Sequence, residues 1–440
     1  MRTRGALTAA AVAAALLSGG CTVTTTFKVD AGAATDAPVT CARGVPLVQL
    51  PSLGSTCVGD FAAQTFRFAL CSCANLDVGG GLRTDSYDDT MGPYTPANST
   101  PTGAPVGIDG SVHLGGAADV QGTLIIAGAG ASAIGDTGTV HADLALGGDL
   151  TVGKTLFVVR SAWAEGNISA PDGVMVAGNF IQPPGAKTPP GLAVGGMQMT
   201  DTFNVQPPCS CAAGPQDIMA AVGEASATNN DDVASVPPEY LKDPPANTQV
   251  SLPCGRFYVD EVSGSAPATL LAEGHVVLFV GHDFTAWDAL TIRFSPGAEL
   301  DVFVAGNLSL GTATSWGTPM NAGALRFYVA GTVSMGSATT FAGNLYAPGT
   351  TVDTQTTEIF GSLLAGGVKS ASDVAVHFDR SVLGAGADCS VDKVPQSCAT
   401  CSDCNGTDGC VGGRCGGCEQ DRDCCDPLVC IANRCEALVF

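Results

Sequence analysis

The chain has 440 residues, room for roughly two or three domains, and 19 Lys and Arg stand against 41 Asp and Glu, a formal charge of −22. With no basic surplus to displace counterions, nucleic acid is excluded as a partner. Apolar residues make up 45 % of the chain, too many for disorder. No apolar run reaches the roughly 18 residues of a membrane helix, which excludes a polytopic membrane protein.

Arg2 and Arg4 precede an apolar run from Ala6 to Leu17, followed by Ser18-Gly19-Gly20-Cys21. A basic start, a short apolar stretch and small residues before a cut read as a secretory signal over 1–20. Small residues ending on a Cys resemble the lipobox of bacterial lipoproteins, with Ser18 where that family usually has Leu. The resemblance implies cleavage before Cys21, lipidation of Cys21 and, with Thr22 next, anchoring in the outer membrane. The anchored chain would face the periplasm or the cell surface. The Thr- and Ala-rich stretch 21–40 reads as a flexible tether.

An exported chain folds where disulfides form. Without Cys21, eighteen cysteines remain. Eight are spread along the body: Cys41, Cys57, Cys71, Cys73, Cys209, Cys211, Cys254 and Cys389. Ten crowd the tail: Cys398, Cys401, Cys404, Cys410, Cys415, Cys418, Cys424, Cys425, Cys430 and Cys435. Both sets are even, so each can pair within itself, and all eighteen are expected in disulfides. Residues 41–106 read as a disulfide-containing cap. It holds the densest acidic cluster of the body, Asp85-Ser86-Tyr87-Asp88-Asp89. Asp85, Asp88 and Asp89 offer oxygen ligands of the kind Ca²⁺ takes, a solvated turn being the plainer reading. No other cofactor is expected.

A short phrase then recurs: apolar, any, Gly, small polar, apolar. Its glycines are Gly110, Gly122, Gly148, Gly166 and Gly178, then Gly281, Gly306, Gly331, Gly343 and Gly361. The steps between them are 12, 26, 18 and 12 in the first set and 25, 25, 12 and 18 in the second. Around each phrase apolar residues alternate with others, the period of a strand, and Gly with Asn, Asp or Ser supplies a corner. The expected fold is therefore mainly β. Its body is a right-handed parallel β-helix or solenoid in two repeat blocks, 107–180 and 266–389, followed by a small disulfide-rich module over 390–440. An antiparallel β-sandwich is the alternative. The connector 181–265 begins Pro-rich and predicts one helix over 215–228, with Asp217 in its first turn. Cys71/Cys73 and Cys209/Cys211 lie upstream of the two blocks and read as bridges closing the solenoid flanks.

Within the tail, Cys410-Val-Gly-Gly-Arg-Cys415 is echoed by Cys430-Ile-Ala-Asn-Arg-Cys435. Residues 418–435 resemble small cysteine-rich modules of the Dickkopf or colipase type. A zinc site at Cys398, Cys401 and Cys404 is the rival reading of their C-x2-C-x2-C spacing. Asn344-Leu345-Tyr346-Ala347-Pro348, Gly361-Ser362-Leu363 and His377-Phe378-Asp379 resemble an uncharacterised β-solenoid domain family. That family is found in bacterial envelope lipoproteins and pilus-associated proteins. The resemblance implies architecture and surface placement, and no activity.

No catalytic constellation is legible. His113, His141, His275, His282 and His377 show no H-x-x-x-H or H-E-x-x-H spacing. His282-Asp283 and His377-Phe378-Asp379 read as surface or coil-corner pairs. The expected function is a non-enzymatic cell-surface or outer-membrane scaffold for structure, adhesion or binding. Its expected partners are the membrane, through the lipid anchor, and envelope glycans or surface proteins. A carbohydrate-active β-helix enzyme, lyase or hydrolase, is the alternative.

Overall fold

The computed structural model describes residues 45–389, except 101, 212–213, 288, 312–316, 337–339 and 356–357, and parts of 398–437. The signal, the tether, Cys21, Cys41, Cys404 and Cys425 lie outside the described residues.

From Val112 to Phe180 the chain is built from a six-residue unit, three residues of strand and three of corner. Leu144–Leu146, Leu150–Val152, Leu156–Val158 and Ala162–Ala164 follow one another at this spacing. The first and third residues of each strand point inward and are buried. Alternation within so short a strand is enough to separate an inner from an outer row. Three units close one turn. Each strand therefore lies in parallel register on the strand one turn later, as Leu144 on Ala162 and Ala162 on Phe180. The corners stack too. Asp149 Oδ1 accepts hydrogen bonds from the backbone N–H and Nδ2 of Asn167, at 2.7 and 3.1 Å. A Cβ on Gly166 would collide with the carbonyl carbon of Gly148, so glycine is what lets these two corners approach.

Residues 248–379 build wider turns. Leu278, Val302, Phe327, Leu345 and Leu363 stack in register. The four turns between these residues differ in length: the first two steps are long, and the last two match the three-unit turn of the other stack. The perimeter thus narrows where this stack meets the other. There Leu363 pairs with Leu70, Ser370 with Val78 and Asp379 with Tyr87, all in parallel. The two blocks form one parallel β-solenoid of about 13 turns. Its order in space is permuted relative to the chain: 248–379 stacks beneath 70–200. The ladders of this body are parallel throughout, so the sandwich alternative does not hold.

The blocks extend beyond their expected edges. Leu70–Ser72, Leu76–Val78 and Leu82–Tyr87, inside the expected cap, already form a turn. The first stack continues past 180 through Leu192–Val194 to Gln198–Thr200, and the second begins at Thr248–Leu252.

From Thr200 the chain returns down one outer face. Cys71–Cys209 and Cys73–Cys211 fasten this strap, so the bridges run between the two Cys-Ser-Cys pairs and not within them. The face beneath is apolar on its outside as well. Its outward row runs in register from Phe279, Phe303 and Tyr328 through Tyr346, Leu364 and Cys71 to Ile125. Helix α1 (Val58–Thr65) lays Phe61 on it, 5.0 Å from the Tyr328 ring. Helix α2 (Pro215–Ala225) starts on its proline, and Asp217 Oδ1 accepts the Ser52 N–H at 3.0 Å. It stops short of the predicted Thr228, where Asn229 Nδ2 donates to the Ala225 carbonyl at 2.9 Å. Residues 229–247 cap the lower end, with Asp231 Oδ1 accepting the Tyr258 N–H and the Leu241 carbonyl accepting that of Ser263. Cys57–Cys389 joins the first residues of the body to its last.

The tail repeat is a structural repeat. Gly409–Val411 pairs with Arg414–Gly416, and Leu428–Ile431 with Arg434–Ala437, as antiparallel hairpins. Cys398–Cys410 and Cys424–Cys435 are bonded, and Cys254, Cys401 and Cys418 are also in disulfides. With Cys398 and Cys401 oxidised, the zinc reading fails.

Candidate functional site

Among the described residues, two places where the stacks join gather chemistry. The first is an open groove of about 550 Å³ lined by Asp77, His113, Asp353, Lys369, Ser370 and Gly115. Its polar residues are the outward middle positions of successive strands. In-register pairing sets them in a row, Ser334–Asp353–Lys369–Asp77–His113. His113 Nδ1 lies 3.0 Å from Asp77 Oδ1. Neighbouring rungs are about 4.8 Å apart, so Asp353 and Asp77 stand about 10 Å apart with Lys369 on the rung between them. Charges therefore alternate along the groove. That suits a polar ligand carrying both donors and acceptors. A general acid would need a carboxyl in a dry pocket, and Asp77 is 42 % exposed. Among the described residues that line the groove, none is an aromatic platform for a sugar ring.

The second place is buried. The strand Val374–Asp379 pairs with Leu82–Tyr87, setting His377 opposite Asp85. His377 Nδ1 lies 2.7 Å from Asp85 Oδ1. Tyr94 Oη donates to Asp85 Oδ2 at 3.0 Å, and the Arg83 guanidinium approaches it at 3.5 Å. The His377 ring lies between Tyr94 and Phe360, at centroid distances of 4.1 and 4.8 Å. Asp85, Asp379 and His377 are all buried. The expectation of a surface or coil-corner role for His377-Phe378-Asp379 is thus corrected. Residues 88–105, between Leu82–Tyr87 and Val106–Ile108, bring Tyr94 over this strand. His282-Asp283 does occupy a corner, where Asp283 Oδ1 accepts from Asn307 at 2.7 Å.

Of the three acidic candidates, Asp85 is consumed by His377 and Tyr94 and cannot join the others in holding a cation. Asp88 and Asp89 are joined instead by Asp379, one carboxylate oxygen of each lying within 4.8 Å of the others. Asp379 Oδ1 accepts the N–H groups of Asp89 and Ser381, each at 3.1 Å, and Oδ2 accepts that of Gly323 at 2.8 Å. Burial, and next the Asp379 charge, push Asp89 up to about 8. Burial likewise raises Asp379. Tyr87 is raised by burial first and then by Asp379 and Asp89.

Sequence reasoning missed a buried ion pair under the covering helices. Arg326 and Asp301 are both 1 % exposed. Arg326 Nε and Nη2 bind the two oxygens of Asp301 at 2.6 and 2.7 Å, Nη1 donates to the Gly323 carbonyl at 3.1 Å, and Nη2 also meets Glu299. Tyr328 Oη donates to Asp301 at 3.1 Å. The signal is in the spacing. Asp301 and Arg326 have the same separation as Gly306 and Gly331, one wide turn. This is a fork-to-fork pair that fixes the register of two wide turns.

Residues 212–384 match the protein family described as a domain of unknown function (DUF7305). No curated protein and no solved structure matches the chain.

Proposed function

We propose that the chain is an exported, lipid-anchored scaffold that binds at the joint between its two stacks and catalyses nothing. The observation that carries this is the Cys57–Cys389 bridge: the chain joins and leaves the solenoid at one place. An anchor at Cys21 and the cysteine-rich module over 390–440 would thus both follow on from that one place. The groove of Asp353, Lys369, Asp77 and His113 is then the surface of the solenoid offered to a partner. A stalk lifting the tail off the membrane would need its two chain ends at opposite ends of the stack. The module, with its Dickkopf- or colipase-like spacing, is a second binding element beside the anchor. The partners of this reading are envelope glycans or surface proteins at the outer membrane.

The test is a pull-down of envelope polymers with the lipid-free oxidised chain and with Lys369→Glu and Asp77→Lys variants. Binding that falls in both variants supports the groove. Binding unchanged in both, or no binding by the parent chain, refutes it. The second reading, polysaccharide cleavage, has the Asp77 and Asp353 pair behind it. Turnover of any glycan that disappears in Asp77→Asn would establish that reading in place of the scaffold.

A further inference from the structure

We infer that Asp88, Asp89 and Asp379 form a binding site for a hard divalent cation, Ca²⁺ above all. Two of the carboxylates come from the first residues of the 88–105 segment and the third from a strand near the far end of the body, yet one oxygen of each lies within 4.8 Å of the others. Among the described residues none of the three makes an ion pair. Asp89 and Asp379 are hydrogen-bonded to each other through their carboxyl groups, a contact a cation would replace. Asp88 Oδ1 accepts both the N–H and the hydroxyl of Thr90, at 3.0 and 2.5 Å, Oδ2 has no hydrogen bond among the described residues, and Asp379 Oδ2 accepts the Gly323 N–H.

An independent observation points into the same spot. The Tyr87 hydroxyl belongs to a residue 1 % exposed and makes no hydrogen bond. Tyr87 lies in parallel register beside Asp379, the third carboxylate of the site. A buried hydroxyl without a partner is costly, and the crowded Asp89 and Asp379 carboxyl groups are held together by a shared proton. An oxygen-seeking cation takes the place of that proton and offers the hydroxyl a partner. It takes the three carboxylates and fills its six to eight positions with water and nearby oxygens. Asp85 is outside the site because His377 and Tyr94 hold it. The cation would pin the 88–105 segment to the strand that joins the stacks. The site stands on its own geometry and does not depend on the scaffold reading.

The experiment is Tb³⁺ luminescence, sensitised by Tyr87 and Tyr94, on the full oxidised chain freed of metal with EDTA, with CaCl₂ and MgCl₂ as competitors. The expected result is emission saturating at one equivalent and displaced by Ca²⁺ at lower concentration than by Mg²⁺. Asp88→Asn keeps the acceptor for Thr90 and the fold, and weakens binding on the order of tenfold by removing a charged ligand. Asp379→Asn, checked for folding by circular dichroism, weakens it further. If that variant does not fold, Asp89→Asn takes its place. No sensitised emission and no Ca²⁺-dependent rise in Tm for the parent chain would overturn the site. So would parent-strength binding in Asp88→Asn together with Asp89→Asn.

Discussion

Leu70 lies in parallel register on Leu363, from the opposite end of the body, and this pairing joins two stacks made from separate stretches of the chain. It works because the perimeters agree. The turns from Phe327 to Leu345 and from Leu345 to Leu363 are each as long as the turn from Leu144 to Ala162. A strand can pair along its whole length only with a partner of matching curvature, so the wide turns narrow before the joint. The joint therefore closes late, after nearly the whole body has been made, and long-range parallel pairing of this kind folds slowly.

The two strap disulfides close almost the same loop. Cys71–Cys209 and Cys73–Cys211 each span 138 residues. In the chain-entropy account one such bridge stabilises by about 5 kcal/mol. The second then closes only a few residues more. Replacing either pair by Ser should therefore cost little, whereas replacing both should cost far more than the sum. Urea unfolding of the three variants measures this, and additive losses would contradict it.

Arg326→Met strands the buried Asp301 carboxylate and should destabilise the chain by about 3–5 kcal/mol. Adding Asp301→Leu removes the stranded charge. The double variant should be more stable than Arg326→Met alone, with Tyr328 losing one hydrogen bond in the process. Denaturation midpoints of the two variants decide the sign.

The six-residue unit is present in the sequence but hidden when only glycines are counted. The first set of steps, 12, 26, 18 and 12, consists of multiples of six apart from a two-residue excess. The excess is the longer corner between Leu124–Ile126 and Ser132–Ile134. Inward rows such as Leu150 and Val152 are legible from local alternation. The permuted order is not, because nothing local to Leu70 or Leu363 announces that they pair. The buried role of His377 escapes notice for the same reason: its partner Asp85 comes from the other end of the body. Asp88 and Asp89 are legible as an oxygen cluster, whereas Asp379 joins them only through that same joint.

Asp109 accepts the Cys209 N–H at 3.0 Å beneath the strap, and burial raises its pKa. Its protonated form is thus favoured by the folded state. The contribution to stability is fully present below the ordinary Asp pKa of about 4 and is lost as pH rises through the raised folded value. Asp109→Asn keeps an acceptor for Cys209 and removes the charge. The variant should melt above the parent at pH 7, and the two curves should converge near pH 3. A gap that widens on acidification would reverse the assignment.

Two glycines separate close approach from plain flexibility. Gly166 stacks on Gly148, where a Cβ would run into backbone, so Gly166→Ala should cost about 1–3 kcal/mol. Gly223 lies in α2 with nothing within 4 Å of an added Cβ. Gly223→Ala should stabilise by about 0.5–1 kcal/mol, through helix propensity alone. Melting curves of the two variants should shift in opposite directions.

The groove's alternation is itself a stability device. Lys369 lies between Asp353 and Asp77 on adjacent rungs. Lys369→Glu would place three like charges in register, and such neighbours repel. The rungs are open to solvent, so salt screens the repulsion over a Debye length of about 10 Å at 0.1 M and about 3 Å at 1 M. Lys369→Glu should therefore lower Tm at low ionic strength and recover most of the loss in about 1 M NaCl. Lys369→Gln, which removes attraction without adding repulsion, should lose less and respond less to salt. Equal losses in the two variants, indifferent to salt, would mean that Lys369 supports the joint by packing its stem and not by its charge.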